Sequence, residues 1–146
     1  MTERLYYQDP GLERFQARLL AQEPAPGGGV QVILDRSAFY PEGGGQPADH
    51  GTLGGIPVTD VRLDGERILH QLEAPLDLPE GSPVAGVVDP ARRREFRQQH
   101  TGQHIISACL DTAAGRRTVS AALGERYTTV EVDCPALEDR QLLAAE

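Results

Sequence analysis

The 146-residue sequence has no lysine, no tryptophan and only two cysteines, Cys109 and Cys134. Without lysine the chain cannot form a Schiff base, nor can it build the Walker phosphate loop, whose motif requires Gly-Lys. Two cysteines cannot form a disulfide framework, and we interpret them as reduced thiols of a cytoplasmic protein. No apolar run approaches the roughly 20 residues of a membrane-spanning helix, and no secretion signal is visible, so we expect no membrane association.

Charge is unevenly distributed along the chain. Acidic residues outnumber basic ones, which gives a net charge of −8, and every basic residue is an arginine. Six arginines but only two acidic residues lie between residues 91 and 117. The net negative charge argues against a general nucleic-acid coat, whereas one basic band can still hold a polyanion locally.

Residues 1–89 are predicted to form a small β-barrel domain. Short apolar segments alternate with Gly, Pro and Asp clusters, a pattern typical of strands and turns. The segments are Leu5–Tyr7, Phe15–Leu20, Val30–Leu34, Pro57–Leu63, Ile68–Leu72 and Val84–Val88. Asp64-Gly65 predicts a hairpin, and many short strands with one buried face each favour a barrel. His50 and His70 are interpreted as surface or hydrogen-bonded histidines of this domain.

Residues 90–146 are predicted to form part of a separate α+β domain. Asp89 can cap a helix that starts at Pro90 and stops near Gly115. Further elements are expected to be two paired strands and a second helix: Thr118–Leu123, Arg126–Val132 and Ala136–Glu146. These few elements are too small to close a core, so we expect the chain to be a fragment of a longer protein.

His100 and His104 lie four residues apart on the first predicted helix. Their side chains are expected about 40° apart on one face and about 6 Å apart along the axis. Two such ring nitrogens can share a Zn²⁺, although an ordinary polar helix face is the commoner explanation. Thr101 stands where a metalloprotease motif requires glutamate, which excludes that class. Cys109 is expected on the opposite face, and Cys134 reaches the pair only if the second helix packs beside the first.

Two further patterns bear on ligand binding. Three adjacent glycines lie within Phe39–Asp49, where they let the backbone approach a ligand or simply form a tight turn: Gly43, Gly44 and Gly45. A run of arginines occupies the first turns of the helix: Arg92, Arg93, Arg94 and Arg97. Cations there oppose the helix dipole without local compensation, which favours an anionic partner over a merely solvated face.

The two motifs together resemble the AlaX proteins, free-standing relatives of the alanyl-tRNA synthetase editing domain. They read Ala38-Phe39-Tyr40-Pro41-Glu42-Gly43-Gly44-Gly45-Gln46-Pro47-Ala48-Asp49 and, about fifty residues later, Gln99-His100-Thr101-Gly102-Gln103-His104. The resemblance runs over nearly the whole chain. It implies hydrolysis, in trans, of tRNA(Ala) mischarged with serine or glycine. It also implies a small β-barrel followed by an editing domain shared with threonyl-tRNA synthetase.

The resemblance further implies a zinc ion with four protein ligands, of which His100 and His104 match the first two. The second pair, Cys-x-x-x-His, has no match, because Cys134 is followed by Pro-Ala-Leu-Glu. Gln103 is then a candidate for catalytic support. Thr118 and Ser120 are candidates for contacting a serine side chain, with a plain strand role as the alternative. The resemblance assigns the tRNA acceptor end to the glycines and its phosphates to the arginines: Gly43, Gly44, Gly45, Arg92, Arg93 and Arg94.

Two other interpretations stay open. The chain could be a non-catalytic tRNA- or RNA-binding module in which the barrel is the working part. It could also be a fragment of alanyl-tRNA synthetase itself. A Cys-x-x-x-His sequence downstream of this chain would favour the enzyme, and its absence would favour the binding module.

Overall fold

The computed structural model describes residues 1–26 and 28–145. This part of the chain is a mixed α/β structure, rich in strands, with two α-helices. The strands are β1 Glu3–Arg4, β2 Arg14–Pro24, β3 Val30–Leu34, β4 Arg36–Ser37, β5 Gly51–Leu53, β6 Ile56–Asp64, β7 Arg67–Leu72, β8 Pro83–Val88, β9 Thr118–Ala122 and β10 Thr129–Val132. The helices are α1 Pro90–Ala114 and α2 Asp139–Ala145. Among the described residues, neither α-helix combines the length and the apolar character that a membrane span requires.

The structure divides into two compact units. The first comprises Met1–Glu42 and Ala48–Arg93, and the second comprises Gly43–Pro47 together with the residues from Arg94 onward. The glycine-rich segment was predicted to belong to the first domain, whereas Gly43–Pro47 groups with the second unit.

Six strands of the first unit hydrogen-bond in the order β2-β3-β7-β6-β5-β8, which closes on itself as a barrel. All six neighbouring pairs are antiparallel. The hairpin predicted at Asp64-Gly65 is confirmed: Asp64 pairs with Arg67 across the turn, and Gly65 has φ +58°. A positive φ is the conformation such a two-residue turn requires and glycine adopts freely.

Five of the six predicted apolar segments are confirmed as strands, and one is wrong. Leu5–Tyr7 forms a short 3₁₀ helix, in which Leu5 O accepts hydrogen bonds from the amides of Gln8 and Asp9. Three consecutive apolar residues carry no alternation of polar and apolar positions, so they do not define a strand face. Strand β5, Gly51–Leu53, was not predicted, because three residues are too few to show a period of two.

The barrel interior is filled by alternate residues of its strands. Phe15, Ala17 and Leu19 of β2 are buried while their neighbours are exposed, and β7 buries every second residue in the same way. Burying one such aliphatic or aromatic side chain contributes about 1.5–3 kcal/mol. The hydrophobic effect therefore accounts for the closure of this unit.

His70 lies in the middle of this apolar core and is fully buried. Its Nδ1 is 3.0 Å from the carbonyl oxygen of Val32, and its Nε2 is 2.8 Å from Oγ of Ser37. Because a carbonyl only accepts, Nδ1 carries the proton and Nε2 accepts from the hydroxyl. Burial lowers the pKa of His70 to about 4. The expectation of a hydrogen-bonded histidine is confirmed.

Helix α1 begins and ends where the sequence predicts. Oδ1 of Asp89 accepts hydrogen bonds from the amides of Ala91 and Arg92 at 2.9 and 3.1 Å, which caps the helix start. Gly115, at φ +64°, terminates the helix, and its amide donates to Asp111 O at 3.0 Å.

The remaining predicted elements of the second unit are present, but β10 begins at Thr129, three residues after the predicted Arg126. Strands β9 and β10 pair antiparallel, as expected. Helix α2 begins at Asp139, three residues later than predicted, because Oε1 of Gln141 accepts a hydrogen bond from the amide of Glu138. A side chain that reaches back in this way fixes the residue before the helix as its cap. Glu146, the predicted end of the helix, lies outside the described residues.

Candidate functional site

The two histidines of α1 lie side by side in the second unit. The rings of His100 and His104 are stacked, with centroids 4.8 Å apart and planes 18° from parallel. His100 is half-buried and His104 is exposed. Helical spacing thus brings two imidazoles together at a surface that a ligand can reach. Their assignment as zinc ligands stays a prediction.

Gln46, which the sequence analysis did not select, contacts His100. Its side-chain oxygen Oε1 is 2.7 Å from Nδ1 of His100, and the glutamine is buried. Since an amide oxygen only accepts, Nδ1 of His100 carries the proton and Nε2 keeps its lone pair. The feature of the sequence that could have indicated Gln46 is its place directly after three glycines, where a long polar side chain stands.

The glycine-rich loop is held against the end of β9. The backbones of Gly43 and Gln46 exchange two hydrogen bonds of 3.1 and 3.0 Å, and Gly45 O accepts from the amide of Leu123 at 2.8 Å. Gly45 has φ +79°, and a Cβ there would lie 2.0 Å from the carbonyl oxygen of Ala121. Close backbone packing therefore requires glycine at position 45.

The other two glycines are exposed at the surface of this loop. Gly44 has φ +59° and open space where a Cβ would be, and the amide of Gly43 is already bonded to Gln46 O. The prediction that these glycines place the tRNA acceptor end stays a prediction. Their observed contacts shape the turn that presents Gln46.

A polar chain runs along the inner face of α1. The side-chain amide of Gln103, which is buried, donates to Oγ of Ser107 at 2.8 Å, and Oγ1 of Thr118 donates to the same oxygen at 2.8 Å. The structure thus brings together Gln103 and Thr118, two of the predicted site residues, through Ser107. Ser107 was not among the predicted site residues, although it lies one helical turn after Gln103 and therefore on the same face.

Ser120 makes a different contact. It is exposed, and its hydroxyl donates at 2.7 Å to the carboxylate of Glu131, its cross-strand partner in β10. Thr118 and Ser120 were predicted together as substrate contacts. The structure pairs Thr118 with the helix and Ser120 with the neighbouring strand.

The arginine run is divided by the geometry of the helix. Arg93 is 6% exposed and forms an ion pair with Asp49, and it also donates to the carbonyl oxygens of Leu12 and Ala38. Arg92 is half-buried, and its Nε donates to Ala48 O at 3.0 Å. The prediction that Arg93 contacts a phosphate is corrected, because its guanidinium is enclosed within the first unit and cannot reach a ligand in solution.

Two exposed arginines remain on the part of α1 that belongs to the second unit. Arg94 and Arg97 lie one turn apart and line an open groove of about 520 Å³ with Gln98, Thr101 and Ile105. Cations one helical turn apart beside polar side chains suit the phosphates of a nucleic-acid backbone. Arg97 thus takes a more favourable place than Arg93 in any contact with a polyanion.

The donor set fits the two-histidine half of a zinc site. Metal-binding histidines usually donate their second ring N–H to an oxygen, as His100 does to Gln46. Within residues 1–26 and 28–145, no group of three or more His, Cys, Asp or Glu side chains is placed to hold a metal ion. Cys109 and Cys134 are half-buried free thiols. The described residues therefore offer two imidazoles and no complete ligand set.

Comparison with known proteins identifies the family. The profile of the family described as tRNA synthetases class II (A) matches residues 3–92, more than half of the chain. The chain therefore belongs to this family.

Individual relatives are consistent with the resemblance seen in the sequence motifs. Alanyl-tRNA editing protein Aarsd1 of Danio rerio is 40% identical over 118 residues, and that of Mus musculus is 41% identical over the same length. Each match covers 81% of this chain and 28% of the relative. Alanine–tRNA ligase of Pyrococcus abyssi is 39% identical over 132 residues, 88% of this chain and 14% of the ligase. The resemblance to AlaX-like editing relatives is confirmed, and the chain spans less than a third of these relatives' length.

Proposed function

We propose that this chain is part of an editing deacylase that hydrolyses mischarged tRNA. The observation that carries the proposal is the stacked pair His100 and His104, with His100 oriented by Gln46, in a chain about 40% identical to alanyl-tRNA editing proteins. The reaction is hydrolysis of the ester between an amino acid and the tRNA acceptor end, with water as the nucleophile. The first unit then forms the barrel domain, and the second unit, which includes Gly43–Pro47, belongs to the editing domain.

The proposed substrates are seryl- and glycyl-tRNA(Ala). Serine is alanine with an added hydroxyl, and a single binding pocket rejects such a close analogue poorly. A second, hydrolytic site removes the error after the amino acid has been attached. We propose that the reaction takes place in trans, because relatives of this chain include proteins named for editing that are distinct from the ligases. We propose the cytoplasm as its compartment, because Cys109 and Cys134 are free thiols.

His100 and His104 are the residues that would hold a zinc ion. When bound, zinc polarises a carbonyl oxygen and activates water. Nε2 of His100 is available for such a contact, since Nδ1 is bonded to Gln46. Gln103 donates to Ser107 through its amide nitrogen, which leaves its amide oxygen to accept a hydrogen bond from a water or an amino group.

Contact with tRNA is proposed for the exposed cations of α1. Arg94 and Arg97 face an open groove and can neutralise two backbone phosphates, while the exposed glycines offer a surface without side chains. A chain of net charge −8 would then bind RNA only where this local cationic stripe lies.

The test is deacylation of seryl-tRNA(Ala) and glycyl-tRNA(Ala) by the complete protein with and without His104→Ala. We expect the hydrolysis rate to fall at least about 100-fold, because one of the two imidazoles that orient the reacting group is removed. Thr112→Ala is the matched control, since Thr112 is an exposed residue of the same helix that bonds only to Ala108 O among the described residues. An unchanged rate in His104→Ala would end the proposal.

The exposed pair Arg94 and Arg97 also supports a second function, tRNA binding without hydrolysis. The same experiment separates the two. A binding module would retain mischarged tRNA in a filter or gel assay but would release no amino acid, with or without His104. Release that depends on His104 favours the deacylase.

A further inference from the structure

We propose that Gln46 is a positioning residue that holds His100 in the tautomer protonated at Nδ1, so that Nε2 is the nitrogen offered to a ligand. That Nε2 binds zinc or substrate rests on the proposed function. That Gln46 fixes the tautomer rests on the structure of the second unit alone.

The contact itself determines which nitrogen is protonated. Oε1 of Gln46 has lone pairs and no hydrogen, and the 2.7 Å separation from Nδ1 is that of a short, well-formed hydrogen bond. Gln46 is 8% exposed, so water competes little for its amide oxygen. With the amide oxygen of Gln46 facing Nδ1 as it does here, the tautomer with the proton on Nε2 would place two lone pairs face to face in a buried position, which costs about 1–3 kcal/mol.

The loop that carries Gln46 is held in place by backbone hydrogen bonds and close packing. Gly43 and Gln46 close a tight turn through two backbone hydrogen bonds, and Leu123 N holds Gly45 O at 2.8 Å. Gly45 is packed so closely against Ala121 O that a methyl group does not fit. These contacts explain why the glycine-rich segment ends in a glutamine whose side chain is buried. The turn places the amide oxygen of Gln46 beside the imidazole of His100.

His104 provides an internal comparison on the same helix. It is exposed, and no hydrogen bond to its ring is found in the described part of the chain. We expect the tautomer of His104 to be determined by hydrogen bonds to water, whereas the tautomer of His100 is determined by its hydrogen bond to Gln46. The inference therefore concerns one ring of the pair and predicts a difference between the two.

The test measures ring-nitrogen chemical shifts of the ¹⁵N-labelled chain by NMR at about pH 8, where an ordinary imidazole is neutral. In the unmodified chain we expect Nδ1 of His100 to show the shift of a protonated nitrogen and Nε2 that of an unprotonated one. Gln46→Met keeps the length of the side chain and removes the acceptor, so both nitrogens should move toward averaged values. Gln46→Glu keeps an acceptor oxygen and should retain the original shifts. His104 should be unchanged in both variants.

Two results would overturn the inference. One is a proton on Nε2 of His100 in the unmodified chain, a measurement that requires no variant to fold. The other is an unchanged His100 spectrum in Gln46→Met, with backbone amide shifts showing that the second unit is intact.

Titration of the complete protein with Zn²⁺ alone then tests the consequence for a ligand. We expect Gln46→Met to weaken zinc binding about 10- to 100-fold and Gln46→Glu to weaken it little. Zinc affinity that is unchanged in Gln46→Met despite a shifted tautomer would reject the ligand role of Nε2 while leaving the tautomer assignment in place. Loss of the tautomer effect with normal His104-dependent deacylation would reject Gln46 and leave the proposed function standing.

Discussion

The two units of the chain use buried polar groups for different ends. In the first unit, His70 has both ring nitrogens bonded and Arg93 is surrounded by a carboxylate and carbonyl oxygens. In the second unit, His100 has one nitrogen bonded and the other available, and His104 is exposed. A histidine satisfied on both sides serves the fold, whereas a histidine oriented on one side can serve a ligand. This contrast supports His100 and His104 as the candidate site better than the mere presence of histidine does.

The apolar residues of the two units differ in the same sense. The barrel buries an extended cluster of aliphatic and aromatic side chains. The second unit buries few large apolar residues and leaves others strongly exposed: Ile105, Ile106, Val119 and Tyr127. Its inner helix face carries instead the polar chain of Gln103 and Ser107. We therefore expect substitutions of buried residues in the first unit to lower the free energy of unfolding. We expect substitutions on the polar helix face of the second unit to affect function instead.

The sharpest test of that comparison is the ion pair between Arg93 and Asp49. Both side chains are nearly inaccessible to water, and Oδ2 of Asp49 also accepts a hydrogen bond from the amide of Tyr40 at 2.6 Å. Asp49→Asn leaves the Arg93 cation buried without a counter-charge, so we expect a loss of about 3–5 kcal/mol in the free energy of unfolding. This loss in the free energy of unfolding is measured by denaturant titration, with the unfolding of the barrel followed spectroscopically.

The control is Asp64→Asn, which removes the charge from an ion pair with Arg67 whose two side chains are both half exposed. An exposed pair contributes about 0–1 kcal/mol, and Asn-Gly suits the hairpin turn as well as Asp-Gly. Equal losses in the two variants would contradict the view that Arg93 serves the fold of the first unit.

His70 should make the first unit sensitive to acid. Its pKa of about 4 in the folded chain lies below the value of 6.5 expected when unfolded, because burial disfavours the charged ring. The unfolded chain therefore binds the proton first, and stability decreases as the pH falls from about 6.5 to about 4. The loss attributable to this residue is about 3 kcal/mol.

The measurement is the pH dependence of unfolding free energy, compared with that of His70→Gln. The variant is expected to be less stable at neutral pH but to show a flatter profile over this interval, since glutamine does not titrate. Parallel profiles for the two proteins would show that the acid sensitivity arises elsewhere.

The helices and strands of both units could be predicted from the sequence better than the contacts of the candidate site. Alternation along β2 and β7, the Asp-Gly turn and the Asp89 cap are local signals, and each is confirmed. The contact between Gln46 and His100 joins residues 54 positions apart, and the burial of Arg93 depends on Asp49, 44 positions away. Periodicity carries no information on such pairs. A run of three arginines looks uniform in the sequence, but successive helical residues turn by about 100°, so its members face different surroundings.

The smallest expected effect concerns Arg94 and Arg97, and it tests whether exposed cations of the second unit differ from those of the first. Each is expected to contact one phosphate, so Arg94→Gln and Arg97→Gln should each weaken tRNA binding several-fold and lower the slope of log affinity against log salt by about 1. Arg62→Gln in the barrel is the control, because Arg62 is similarly exposed but already paired with Asp60. Binding measured across a salt series by filter retention gives both quantities. A slope that falls equally in Arg62→Gln would mean that tRNA contacts the barrel as much as the helix, and the distinction between the two units would not extend to their charges.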